Sequence, residues 1–86
     1  MSDWIRHHEN EDETVVLAYK NPETRESKYL ARLDDGSYSL QYWPDLAKKV
    51  ETVSLLGFRE TKEEAAELFA QNLNGYTKEH LYQQLK

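Results

Sequence analysis

From Ser37 to Trp43 the chain reads Ser-Tyr-Ser-Leu-Gln-Tyr-Trp, with large and polar side chains taking turns. A period of two marks a strand that buries one face. Residues 14–20, Thr-Val-Val-Leu-Ala-Tyr-Lys, are β-branched and aromatic and predict a first strand. Residues 28–34 predict a second. Asn21-Pro22 opens the turn between these two, and Asp34-Asp35-Gly36 is a hairpin signal before the third. Pro44 ends the third strand, because proline has no N–H for a ladder.

The turn decides which side chains share a face. A two-residue type I′ turn at Asp35-Gly36 pairs Leu33 with Tyr38, Ala31 with Leu40 and Tyr29 with Tyr42. Val15, Leu17 and Tyr19 then join one apolar face. The opposite face would carry Lys28, Leu30, Arg32, Ser39, Gln41 and Trp43, with Val16, Ala18 and Lys20 beside them. A three-residue loop at 34–36 would instead pair Leu33 with Ser37 and Arg32 with Tyr38. That slip mixes apolar and polar residues, so the two-residue turn is the expectation.

After Pro44 the period changes. Leu46, Val50, Val53 and Leu56 are spaced as in a helix, which predicts one over about 45–52. The β-branched Thr52-Val53 leaves a fourth strand open within 50–56. Thr61-x-x-Glu64 is a capping box, and Ala65, Leu68, Phe69 and Leu73 form an apolar stripe, predicting a helix over 61–74. Asn74-Gly75 stops it, and a last helix spans about 77–85. Ser2 could cap a short N-terminal turn that docks Trp4 and Ile5 on the core.

These elements predict an α+β fold: a three-stranded antiparallel meander with two or three C-terminal helices on one face. The expected core is Val15, Leu17, Tyr19, Tyr29, Ala31, Leu33, Tyr38, Leu40, Leu68, Phe69 and Leu73, closed by Leu81 and Leu85. Strand 14–20 or 37–43 is expected at a sheet edge, where an open ladder would allow a symmetric homodimer; otherwise the chain is a monomer.

Eighty-six residues make one domain, here with an acidic N-terminal segment around 6–13 expected to be mobile. The chain has no cysteine, which excludes disulfides and thiolate metal sites. The N-terminal residues lack the apolar run of a signal peptide, and no stretch is apolar enough to span a membrane, so a cytoplasmic location is expected. The net charge of −5 disfavours non-specific attraction to nucleic acid.

Few residues suggest chemistry. His7-His8-Glu9 lacks the i, i+4 spacing of a helical metal pair, so two exposed loop histidines are expected, and no metal. Asp34-Asp35 is explained by its turn. No nucleophile elbow, phosphate loop or dinucleotide fingerprint is present, so neither catalysis nor a cofactor is expected.

In outline, a three-stranded sheet followed by the helix of Leu-Gly-Phe-Arg-Glu-Thr-Lys-Glu-Glu-Ala-Ala, 56–66, is similar to the plant ethylene-response-type DNA-binding domain and to the arm-binding domains of phage integrases. The resemblance implies a sheet that enters the major groove and reads it with Arg and Trp on its outer face. This chain departs by inserting residues 44–54 before the helix, by placing Arg59 where those families have an aromatic, and by being acidic. What is shared is a way of starting a helix, and membership is not assigned.

The expected function is that of a small non-enzymatic protein-interaction or regulatory module, of the kind found among bacterial and phage accessory proteins. Trp43, Arg32, Lys28 and Gln41 would anchor another protein, and Glu9, Glu11, Asp12 and Glu13 would steer a basic one. The alternatives are a nucleic-acid-binding module using the outer sheet face and an acidic inhibitor that mimics nucleic acid.

Overall fold

The computed structural model describes residues 3–8, 13–44 and 54–85. Among the described residues five strands and two helices follow one another: β1 (Ile5–Arg6), β2 (Val15–Lys20), β3 (Ser27–Arg32), β4 (Tyr38–Trp43), β5 (Ser54–Arg59), α1 (Lys62–Gln71) and α2 (Lys78–Gln84). The strands form one antiparallel sheet in chain order, β1-β2-β3-β4-β5. The α+β class and the antiparallel sheet match the sequence reading, but the sheet has five strands rather than three. The predicted helix over 45–52 falls outside the described residues. Residues 54–59, partly left open as a strand, form β5.

Both outer strands of the expected meander, 14–20 and 37–43, turn out to be covered. β1 pairs with β2 and β5 with β4, so the edges are β1 and β5 rather than 14–20 or 37–43. At the N-terminus Trp4 does dock on the core, but Ile5 stays exposed, because consecutive residues of a strand point to opposite faces.

The hairpin register also differs. Arg32 pairs with Tyr38, Leu30 with Leu40 and Lys28 with Tyr42. The loop is the three-residue form: Leu33 N–H donates to Ser37 O at 2.8 Å and Gly36 N–H to Leu33 O at 3.0 Å. Gly36 takes φ +87°, the left-handed position that this loop demands and glycine supplies cheaply. The Asp35 carboxylate accepts from both the backbone N–H (2.9 Å) and the hydroxyl (2.5 Å) of Ser37, which fixes the loop. Those bonds hold the Asp35 carboxyl below its ordinary pKa.

One face of the sheet therefore carries Leu17, Tyr19, Lys28, Leu30, Tyr38, Leu40 and Gly57. The helices pack here. Phe69 meets Tyr19 edge-on at 5.7 Å, and a Cβ on Gly57 would lie 3.0 Å from Leu68 Cδ2. Leu17, Leu30 and Leu40 are fully buried in a row beneath Ala65, Ala66, Leu68 and Phe69. Leu30 is thus core rather than surface. Val15 and Tyr29 are half-buried, Leu33 is exposed, and Ala31 is buried on the other face. The swap is affordable in packing terms because β3 has apolar or small residues on both sides.

Both helices begin as their sequences dictate. Thr61 Oγ1 accepts from Glu64 N–H at 3.2 Å, and Thr77 does the same for His80 at 3.1 Å. The Glu64 carboxylate takes the Thr61 hydroxyl proton at 2.8 Å, where a capping box would usually engage the N-cap amide. Lys78 joins the helices by a 3.0 Å ion pair to Glu63. The N-terminal strand is tied down from the other end of the chain, by Tyr76 Oη to Trp4 O (2.7 Å) and Arg6 Nη1 to Gln84 Oε1 (2.5 Å).

Candidate functional site

The revised register separates the four residues expected to act together. Trp43 and Gln41 lie on the outer face, away from the helices, while Lys28 and Arg32 lie on the helix-bearing face. Among the acidic steering residues, Glu13 is exposed, and Glu9, Glu11 and Asp12 lie outside the described residues.

Lys28 has a structural post. Helix α1 has no basic residue in its last turn, and its C-terminal carbonyls carry the negative end of the helix dipole. Lys28 reaches up from β3 and donates to Asn72 O, with its ammonium 4.9 Å from the centre of the Trp4 ring and 5.9 Å from that of Tyr42. Burial pulls its pKa down, and the nearby Glu26 carboxylate partly offsets this. Tyr42 Oη in turn donates to Glu26. That bond lowers the Glu26 pKa and raises that of Tyr42. A shallow groove at this end of α1 is lined by Trp4, Lys28, Asn72, Gly75 and Tyr76. Arg32 stands at the hairpin end beside Glu13, Asp34 and Tyr38.

The outer face is built in three rows across the strands. Lys20, Ser27 and Trp43 form one; Ala18, Tyr29, Gln41 and Leu55 the next; Ala31, Ser39 and Phe58 the third. Small residues alternate with large ones, so Ala18, Ser27, Ala31 and Ser39 are buried beneath their neighbours. Tyr29 Oη donates to Gln41 Oε1 at 2.8 Å, and Gln41 Nε2 to Ser39 Oγ at 3.0 Å. This chain holds Gln41 rigid in the middle of the face. The Trp43 indole N–H is buried with no hydrogen-bond partner among the described residues, and an unpaired buried donor costs stability.

The apolar part of the face is concentrated on the edge strand. Leu55 is 52% exposed, Phe58 53% and Leu56 37%. Tyr29, Leu55 and Phe58 were not among the expected site residues. The signal was present in Leu55-Leu56-Gly57-Phe58, but its helical spacing with Leu46, Val50 and Val53 competed with a strand reading.

Of the two histidines, His7 is buried rather than exposed, its N–H donating to Ala18 O at 2.9 Å as β1 runs on along β2, and His8 is exposed. Among the described residues, no group of three His, Asp or Glu is arranged to hold a metal ion, and no helix is long and apolar enough to cross a membrane.

The chain matches no family model, no curated protein and no solved structure.

Proposed function

We propose that this chain is a non-enzymatic protein-interaction module whose docking surface is the β5 edge together with the outer face around Gln41, Trp43, Leu55 and Phe58. The observation that carries the reading is β5 itself. Its far ladder is unpaired among the described residues, three of its six residues are large apolar side chains in water, and it contains no acid in a chain of net charge −5. A sheet edge of this kind takes up a partner's strand through main-chain hydrogen bonds, and side chains beside it select the sequence.

The register weakens the nucleic-acid alternative. With Lys28 and Arg32 on the helix side, the three rows of the outer face contain Lys20 as their one base, and several cations are needed to hold a phosphate backbone.

A photo-reactive amino acid placed at Phe58, and at Glu23 as an exposed control in the β2–β3 turn, tests the reading in living cells. Position 58 is expected to yield a discrete protein adduct that position 23 does not. Equal labelling at both positions, or none at 58, would overturn it.

A further inference from the structure

We infer that the strand received by β5 is the β5 of a second copy, so that two chains form one continuous ten-stranded sheet about a two-fold axis. The inference rests on the docking surface just proposed and names its occupant.

The argument is one of parity. When an edge strand pairs with itself about an axis perpendicular to the sheet, each residue must oppose one that lies on its own face. In a regular strand, residues three apart lie on opposite faces and cannot be matched in this way. β5 is not regular. Gly57 pairs with Leu40 and Leu55 with Gln41, so Leu56 is an extra residue and the alternation is reset there. Leu55 and Phe58 consequently share the outer face, and Ser54 and Arg59 share the helix face. A bulge commonly twists an edge away from partners. At this position it lets Leu55 oppose Phe58, whereas a regular strand pairs with itself only about an axis through a residue.

Centring the axis between Leu56 and Gly57 sets Leu55 opposite the second copy's Phe58, twice by symmetry. It sets Ser54 opposite Arg59, so no like charges meet. It also covers the two most exposed large apolar side chains among the described residues with each other. Moving the axis by half a residue, onto Leu56 or onto Gly57, opposes the outer-face Leu55 to a helix-face residue, Gly57 or Arg59, and loses the match.

Because the chain has no cysteine, the register can be read directly. Residues directly opposite in an antiparallel pair have Cα atoms about 5 Å apart, within disulfide reach. The two copies of Leu55 would be about 10 Å apart, beyond it. Purified Leu55→Cys and Phe58→Cys chains, mixed and oxidised, are expected to give a mixed disulfide dimer, with little cross-linking in either variant alone. Sedimentation equilibrium of the wild-type chain is expected to show twice the 10.2 kDa chain mass. Phe58→Glu should weaken the association about thirtyfold or more while leaving the circular dichroism spectrum unchanged. A wild-type chain that stays monomeric, a dimer indifferent to Phe58→Glu, or cross-links without regard to register overturns the inference. If the purified chain is monomeric but position 58 still captures a different protein in cells, the second copy is excluded and the interaction module stands.

Discussion

Lys28 shows how one residue can carry every mark of a binding residue and still be employed by the fold. It is a base in a strand, close to two aromatic rings, and it is spent on the C-terminus of α1. Lys28→Met keeps the length and removes the charge. It is expected to cost about 1 kcal/mol in urea-induced unfolding, from the lost bond to Asn72 O and the lost contact with the helix dipole. Its neighbour Glu26 supplies a pH test. The Tyr42 hydrogen bond lowers the Glu26 pKa in the folded chain, so the bond's contribution is present above the ordinary carboxylate range and is lost as pH falls through the folded value. Tyr42→Phe should therefore flatten the acid side of the stability–pH profile, measured by unfolding at stepped pH. An unchanged slope would show that the bond does not hold in solution.

At the scale of elements, the three central strands and the helix starts could be read from the sequence because local chemistry writes them, while β1 and β5 could not. Thr61 and Thr77 cap their helices whatever packs above, and Thr61→Ala is expected to lower the thermal midpoint by an amount equivalent to about 1 kcal/mol. The register could not be read in the same way. Both turn types suit Asp-Asp-Gly, and the choice rested on which set of side chains looked better buried. Leu30 against Tyr29 and Ala31 is a near tie on that criterion, and the Asp35–Ser37 bonds with the left-handed Gly36 break it. Replacing residues 34–36 by Asn-Gly closes the hairpin with a two-residue turn that still sets Leu33 opposite Ser37. Leu30 is therefore expected to stay in the core and unfolding by heat to stay cooperative; a loss of cooperativity would show that the Asp35–Ser37 bonds are needed to hold the register. Gly57 makes a similar point from the other side. Its φ is not in the left-handed region, so its role is space: Leu68 lies where a Cβ would go. Gly57→Val should cost about 2 kcal/mol by overpacking in the same denaturation assay.

For the molecule as a whole, the candidate surface was legible only in part. Trp43 and Gln41 were recognisable from the alternation of 37–43 and do share a face. Leu55 and Phe58 join them only because β5 folds back beside β4, a long-range pairing that no local pattern announces. The same topology sets a limit on assembly. At the opposite side of the sheet, β1 is two residues long, and its flank is clamped by Tyr76 to Trp4 and by Gln84 to Arg6. One edge of the sheet is thus long and inviting, and the other is too short to template a neighbour. In the proposed pair, growth through β5 would end after a single step, because among the described residues the strands then left at the outer rims are two copies of β1. A chain that pairs as proposed would do so without polymerising, with the two-residue β1 as the stop at each far rim.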